Sequence, residues 1–254
     1  MSHPIIALWS HPRSMSTAFE RMMRARGDLE CLHEPFMYDY YIHRSKREMP
    51  HFDAMDDHPR DYDSIRDMIL AKAEKGPVFF KDMAYYVVPH ILADGEFIRR
   101  LTHTFLVRHP MASLVSYAKL DPEFTCEELG IEAQAQLFDG IVAAGAKRPV
   151  VVSSERVQAD LQHQMQAFWE SIGLPDSPGA LNWGNETPED WQQVAAWHQD
   201  VISSTSIKPL TDEKSREIEE SFRKLVSQHG RFRGILDHHL PFYESLREDA
   251  LPLT

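Results

Sequence analysis

Five short apolar segments, each leading into a polar turn, constrain the fold of this 254-residue chain more than any other feature. The segments are typical of buried β-strands and lie at 4–9, 30–33, 77–80, 103–107 and 149–153. Helical patterns occur at 16–26, 62–75, 110–119, 127–146, 158–172 and 211–228. Because this alternation is typical of parallel strands joined by helices, it predicts an α/β fold, a three-layer sandwich around a central parallel sheet of about five strands.

The length of the chain favours one large domain, and we expect a single domain over 1–254. Residues 37–61 are polar, aromatic and interrupted by prolines, and they are too long for an ordinary connection. We interpret them as an insertion or lid near the functional site. Their aromatic side chains could stack on a ligand or cover the core, and these are Tyr38, Tyr40, Tyr41, His43 and Phe52.

Charge and cysteine content exclude several classes of function. A formal net charge of −12 argues against a general nucleic-acid or anionic-membrane binder, although a local basic pocket for a small anion stays open. The two cysteines have no metal or disulfide spacing, and no apolar run approaches the length of a membrane span. We therefore expect a soluble cytoplasmic protein with no nucleic-acid or membrane partner, and a homodimer is compatible with the sequence.

The 14 histidines do not predict a metal site. No pair has helical ligand spacing together with a third ligand, and the "DHH" at 237–239 is interpreted as an exposed loop. We expect that no metal is required.

The first polar turn, "SHPRSMSTA" at 10–18, follows the apolar run "PIIALW" and precedes a helical pattern. Where a strand feeds a helix, the free backbone N–H groups and the helix dipole favour an anion. Arg13 adds a positive charge, and Ser14, Ser16 and Thr17 add hydroxyl donors. The turn is not a Walker A loop, because the chain has no Gly-Lys dipeptide. A plain helix cap by Ser14 or Ser16 explains the spacing equally well.

A second motif, "FLVRHPMASLVSY" at 105–117, is again a buried strand that runs into a helix. Arg108 stands at the strand end, Pro110 suits the first helical turn, and Ser116 follows eight residues after Arg108. Arg108 and Ser116 can therefore point at one dianionic group.

These two motifs resemble those of the sulfotransferases that use 3′-phosphoadenosine 5′-phosphosulfate (PAPS). "PRSMST" resembles their 5′-phosphosulfate loop, and "RHPMASLVS" resembles their 3′-phosphate motif R-x-P-x-x-x-x-x-S. The segment at 149–175 is a weaker match to the same family. The resemblance implies a P-loop NTPase-like fold that binds PAPS and releases PAP (adenosine 3′,5′-bisphosphate). The donor contacts it implies are Pro12, Arg13, Ser14, Met15, Ser16, Thr17, Arg108 and Ser116.

The first loop departs from the family pattern at two residues. Met15 stands where relatives often have glycine, and we expect it to keep an ordinary backbone conformation because it is not glycine. Arg13 stands where many relatives have lysine, and its guanidinium can donate two hydrogen bonds to a sulfuryl or phosphate group.

The resemblance also implies a catalytic base, for which Glu34 in "LHEPF" is the candidate and His33 the rival. Strand alternation places these two side chains on opposite faces, so that one of them reaches the acceptor. Lys81 in "FFKD" ends another predicted strand, either as a catalytic cation or as a solvated lysine. Ligands of open α/β sheets bind at the carboxyl ends of strands, where Arg13, Glu34, Lys81 and Arg108 could converge.

The C-terminal region matches the family only loosely. Sulfotransferases often place a late basic loop with glycine on the 3′-phosphate, which makes Arg231 and Arg233 in "HGRFRG" candidate contacts. We assign no chemistry to the amphipathic helix predicted at 211–228.

The sequence thus predicts transfer of the PAPS sulfuryl group to a hydroxyl or amine of a small-molecule acceptor. Two alternatives stay open: a small-molecule kinase of the same fold, and a catalytically silent nucleotide-binding protein. The missing Walker lysine and the lack of a clear acidic pair for Mg²⁺ count against the kinase.

Overall fold

The five apolar segments form five parallel strands of one sheet in a computed structural model, which describes residues 3–184 and 187–253. The strands are β1 (Ile5–Ser10), β2 (Glu30–His33), β3 (Val78–Met83), β4 (Leu101–Val107) and β5 (Val150–Ser153). They are ordered β2-β3-β1-β4-β5, and every pairing is parallel. The predicted α/β sandwich with a five-stranded parallel sheet is confirmed.

The central strand β1 shows why these segments read as continuous apolar runs. All six of its residues are buried, with Ile5, Ala7 and Trp9 in one hydrophobic cluster and Ile6 and Leu8 in a second. The two clusters lie on the two faces of the sheet, since successive strand residues point to opposite sides. A strand covered on both faces does not alternate with polar residues.

Helices cover both faces of the sheet. They are α1 (Ser16–Ala25), α2 (Tyr62–Ala73), α3 (Ala84–Ile91), α4 (Gly95–Arg100), α5 (Pro110–Tyr117), α6 (Ile131–Ala143), α7 (Ser154–Ala159), α8 (Leu161–Ser171), α9 (Gln199–Ile202), α10 (Asp212–Gln228) and α11 (Arg231–Glu248). Within the described ranges, no helix combines the length and the apolar character needed to cross a membrane.

Each of the six helical patterns contains a helix, but the boundaries differ. The pattern at 158–172 is broken at Asp160, whose side chain accepts a hydrogen bond from the His163 N–H and so starts α8 as a new helix. The sequence also missed α3 and α11, which contain Pro89 and Pro241. Prolines usually end helices, and this hid both elements.

The interpretation of 237–239 as an exposed loop is wrong. These residues lie inside α11, and His239 has no solvent exposure. Segment 37–61 contains a short π-helical turn, Asp39–His43, and Tyr38 before it and Tyr40 within it are buried in the core on one face of the sheet. Part of the aromatic set therefore packs the core.

His103 in β4 is held as a neutral imidazole by two hydrogen bonds. Its Nε2–H donates to the Ile98 carbonyl at 2.9 Å, and its Nδ1 accepts from the Trp9 indole N–H at 2.9 Å. Burial lowers the pKa of His103 to about 4. Protonation would place a second hydrogen opposite the Trp9 N–H, so the folded state disfavours the charged ring.

We predict that His103 weakens the fold in acid. Below about pH 6.5 the unfolded chain binds a proton that the folded chain does not bind until about pH 4. Over this window His103 should lower the free energy of unfolding by up to about 1.4 kcal/mol per pH unit as the pH falls. The free energy of unfolding, measured in urea at pH 6.5, 5.5 and 4.5, should therefore depend less steeply on pH in His103→Gln by this amount. His229→Gln, at the exposed end of α10, is the control, and an unchanged slope in His103→Gln would contradict the prediction.

Candidate active site

The turn between β1 and α1 has an unusual backbone. Arg13 and Met15 adopt φ values of 64° and 73°, in the left-handed region. The expectation that Met15 keeps an ordinary conformation is therefore wrong. Met15 is the N-cap of α1 and makes no side-chain hydrogen bond to the first turn, so the helix is not capped by Ser14 or Ser16. The start of α1 faces a cavity without a side-chain cap, as an anion site requires.

Direct hydrogen bonds join this turn to the second motif. The Arg13 side chain donates from Nε to Ser116 Oγ at 2.8 Å and from Nη1 to the Trp197 carbonyl at 2.7 Å. Arg108 donates from Nη1 to the Arg13 carbonyl at 2.8 Å, and its own N–H donates to Nε2 of His11 at 3.2 Å. The two strand-to-helix turns therefore form one structural unit.

The two arginines create a local positive potential. Burial lowers the pKa of Arg108, Glu155 partly offsets this, and the neighbouring Arg13 lowers the pKa further. Two guanidinium groups held close together with little water favour an anion between them.

A cavity of about 410 Å³ lies beyond the carboxyl ends of the strands. Eight of the residues predicted from the sequence line it, and these are Pro12, Arg13, Met15, Ser16, Thr17, Glu34, Arg108 and Ser116. Ser14, His33, Lys81, Arg231 and Arg233 are not among its lining residues. Three segments far apart in the sequence thus place cations, hydroxyls and one carboxylate around the same space.

Lys81 lies one layer beneath the cavity. The sequence predicts Lys81 at the end of a strand, but it lies inside β3 and has no solvent exposure. Its Nζ donates to Glu34 Oε1 and lies 3.9 Å from Glu20 Oε2. Tyr86 donates its hydroxyl hydrogen to Glu34 Oε2 at 3.2 Å. Lys81 therefore holds the Glu34 carboxylate in place from below and is not a solvated lysine.

The expectation that His33 and Glu34 point to opposite faces is also wrong. Strand β2 ends at His33, and Glu34 turns with a φ of 43°. As a result His33 Nε2 and Glu34 Oε1 are only 3.7 Å apart. Glu34 reaches the cavity, whereas His33 lies behind it.

A chain of hydrogen bonds leads from buried Glu20 to the turn between β1 and α1. Glu20 Oε2 lies 2.6 Å from His33 Nδ1, His33 Nε2 lies 3.0 Å from His198 Nε2, and His198 Nδ1 lies 3.3 Å from Thr17 Oγ1. Burial lowers the pKa of both histidines well below the usual value, so both are neutral near pH 7.

Neutral rings fix the direction of this chain. His33 donates to Glu20, His198 donates to His33, and the Thr17 hydroxyl donates to His198. His33 therefore has both ring nitrogens in use, whereas Glu34 lines the cavity, and this favours Glu34 over His33 as the candidate base.

Sequence reasoning missed one wall of the cavity. Residues on one face of α10 line it, and these are Lys214, Glu217, Ile218 and Ser221. Lys119, Trp197 and His198 line it as well. The spacing of these α10 residues by three and four positions indicates a common helix face, but the sequence does not show that this face lines a cavity.

The two late arginines lie elsewhere. Arg231 donates from Nη1 to the Phe124 carbonyl at 2.9 Å, and the Arg233 guanidinium lies 5.3 Å from the ring centroid of Phe222. The structure gives these side chains packing contacts and does not bring them to the cavity.

One group of three described residues, Cys126, His238 and His239, has potential metal-ligand atoms within 4.8 Å of one another. It lies outside the cavity lining. His239 uses both ring nitrogens on the backbone, since Nε2–H donates to the Cys126 carbonyl at 2.8 Å and Nδ1 accepts from the Glu132 N–H at 3.3 Å. These bonds give the buried ring a structural role.

Comparison with known proteins places the chain in a family. The family described as "Sulfotransferase domain" matches residues 4–215, and the chain belongs to it. A solved structure, the sulfotransferase domain of the Synechococcus PCC 7002 olefin synthase, aligns over 91% of this chain and 96% of its own with a TM-score of 0.52 and 14% identity. The sulfotransferase domain from the curacin biosynthetic pathway aligns over 90% of this chain and 97% of its own, with a TM-score of 0.46 and 13% identity.

Two curated relatives come from Arabidopsis thaliana. Branched-chain-amino-acid aminotransferase-like protein 1 is 25% identical over 99% of this chain and 45% of its own length. Branched-chain-amino-acid aminotransferase-like protein 2 is 24% identical over 79% of this chain and 36% of its own length. The chain thus spans less than half the length of these relatives.

We predict that Met15 tolerates glycine better than alanine. Both substitutions remove the same side-chain contacts, but only glycine adopts a φ of 73° without strain. Met15→Gly should be more stable than Met15→Ala by about 1 kcal/mol in urea unfolding. Ala133→Gly inside α6 is the control, and it should lose about 1 kcal/mol. Equal stability of the two Met15 variants would argue against the left-handed turn.

Proposed function

We propose that this protein transfers the sulfuryl group of PAPS to a hydroxyl, or an amine, of a small-molecule acceptor. The observation that carries the proposal is the hydrogen-bonded union of the turns at 10–17 and 108–116 on one cavity that also contains Glu34. Membership of the sulfotransferase domain family supports the general activity. The donor and the acceptor are our inference.

The cavity suits a donor that carries several anionic groups. Arg13, Ser16 and Thr17 from the first turn line it next to Arg108 and Ser116 from the second. Lys119 adds positive charge at the same cavity, and Lys214 also lines it but is paired with Glu217 at 2.8 Å. PAPS would supply an activated sulfuryl group, while the residues of this chain would bind it, orient it and neutralise its charge.

Glu34 accepts the proton of the acceptor hydroxyl as the acceptor oxygen forms its bond to sulfur. The bond between sulfur and the 5′-phosphate oxygen of the donor breaks, and its electron pair stays on the phosphate of PAP. Arg13 stabilises the negative charge that grows on that oxygen. Lys81 and Tyr86 hold the Glu34 carboxylate by one oxygen each.

The kinase and the silent nucleotide binder are separated by ligand binding. PAP should raise the melting temperature of a sulfotransferase and of a silent binder, whereas ATP with Mg²⁺ should do so only for a kinase. Formation of a sulfate ester then separates the enzyme from the silent binder. The silent binder would be favoured if Met15, which stands where relatives often have glycine, could not adopt the turn, but Met15 adopts a left-handed φ of 73° there.

We predict that Glu34→Gln keeps PAP affinity but lowers turnover by about two orders of magnitude or more, the range of general-base catalysis. His33→Asn should have a smaller effect on turnover, because His33 is not among the residues that line the cavity. Glu219→Gln, on the exposed side of α10, controls for loss of one carboxylate. If His33→Asn abolishes turnover while Glu34→Gln retains it, the assignment of the base is wrong.

We predict that Arg108 reads the 3′-phosphate. A charge-assisted hydrogen bond contributes about 1.5–3 kcal/mol, so Arg108→Ala should weaken PAP binding by about ten- to a hundredfold in calorimetric titration. The same substitution should weaken the binding of adenosine 5′-phosphate, which lacks the 3′-phosphate, much less. Ser116→Ala should behave similarly but more mildly.

Arg233→Ala is the matched control for Arg108→Ala, because the structure stacks Arg233 on Phe222. It should leave PAP affinity unchanged. Equal binding of the two nucleotides by the unmodified protein would remove the 3′-phosphate site.

A further inference from the structure

The part of the cavity beside Glu34 is formed by four tyrosines, which we call the tyrosine wall: Tyr41, Tyr85, Tyr86 and Tyr117. The Tyr86 hydroxyl contacts Glu34. The centroid of the Tyr86 ring lies 5.6 Å from that of Tyr41 and 4.6 Å from that of Tyr85. The wall is therefore continuous with the carboxylate to which we assign the role of base. Met49, Met83 and Val115 also line the cavity and add apolar surface.

The hydroxyl hydrogens of Tyr41, Tyr85 and Tyr86 are already used inside the protein. Tyr41 donates to Glu128 Oε1 at 3.2 Å, so the 2.9 Å contact between the Tyr41 and Tyr85 hydroxyls leaves Tyr85 as its donor. Tyr86 donates to Glu34. Glu128 is neutralised by Arg47, which lies 2.9 Å from its Oε2.

Burial raises the pKa of all four tyrosines, so they stay uncharged near neutral pH. Tyr41, Tyr85 and Tyr86 thus offer a ligand ring surface and at most oxygen lone pairs, and Tyr117 adds a further uncharged ring. This differs from the turns at 10–17 and 108–116, which offer cations and hydrogen-bond donors.

Resting on the proposed function, we propose that the acceptor is a neutral compound with one reactive hydroxyl and an apolar body, whose hydroxyl meets Glu34 while its body packs on the tyrosine wall. An apolar chain or ring gains about fourfold in affinity for each methylene that it buries there. Each hydroxyl of a sugar or polyol that leaves water without finding a donor costs about tenfold or more. The proton of the one reactive hydroxyl passes to Glu34 as its oxygen bonds to sulfur and PAP departs.

A homologous series of alcohols tests this acceptor class. With PAPS as donor, kcat/KM for sulfate-ester formation should rise by about fourfold per methylene from 1-butanol through 1-hexanol, until the cavity is filled. Glucose and myo-inositol should be poorer acceptors than 1-butanol. A rate independent of chain length, or a preference for glucose or myo-inositol, would overturn the proposal.

A substitution in the cavity lining provides a second test. Met49→Gln keeps the length of the side chain but adds an amide to the apolar lining, and it should lower kcat/KM for 1-hexanol by about tenfold with PAP affinity unchanged. Met68→Gln is the matched control, because Met68 is also a partly buried methionine packed against the same core cluster but lies on α2, outside the cavity lining. Equal losses in the two variants would contradict the proposal.

Direct binding separates this inference from the proposed function. Calorimetric titration of the protein with 2-naphthol needs no donor, and Met49→Gln should weaken this binding whereas Met68→Gln should not. If 2-naphthol binds in this way but neither PAP binding nor ester formation is found, the proposed function fails and the apolar acceptor site stands. If PAP binds and 2-naphthol does not, the acceptor class is wrong.

Discussion

A single buried ammonium group organises the catalytic side of this fold. Lys81 lies in a strand flanked on both sides by others and has no solvent exposure, so its charge must be neutralised inside the protein. Glu34 does this with its carboxylate, and its N–H also donates to the Lys81 carbonyl at 2.8 Å. The next residue of β3, Asp82, accepts from the Phe36 N–H at 2.8 Å. Strand β3 thereby fixes the segment after β2 and sets the carboxylate at the cavity edge.

The same charge connects the candidate base to the turn at 10–17. Glu20 on α1 lies 3.9 Å from Lys81 and also binds Arg24 and the Trp191 indole. Since α1 begins directly after the turn at 10–17, a shift of that helix would move both Glu20 and the groups expected to hold the donor. The base and the anion site are therefore parts of one packed unit, which is the arrangement that an in-line transfer between two bound groups requires.

The features that the sequence predicted correctly were those with a local signature. Burial on both faces marked the five strands, and the carboxyl ends of those strands located Arg13 and Arg108. Met15 was misjudged because local strain of about 1 kcal/mol is outweighed by tertiary contacts. Ser154 donates to the Ser14 carbonyl at 2.6 Å and Arg108 to that of Arg13 at 2.8 Å. His198 and Lys214 were missed because only long-range packing brings them to the cavity.

The proposed binding of a polyanion by an acidic chain is compatible with its net charge once the relevant distances are considered. The net charge of −12 is spread over the whole molecule, and salt screens exposed charges beyond about 8–10 Å. Arg13 and Arg108 lie in the wall of the cavity itself, well within that distance of anything bound there. The tyrosine wall, in contrast, is uncharged, and Tyr41, Tyr85 and Tyr86 keep their hydroxyl hydrogens on internal partners. The lining therefore combines charged and uncharged surfaces, as the proposed pairing of an anionic donor with a neutral acceptor needs.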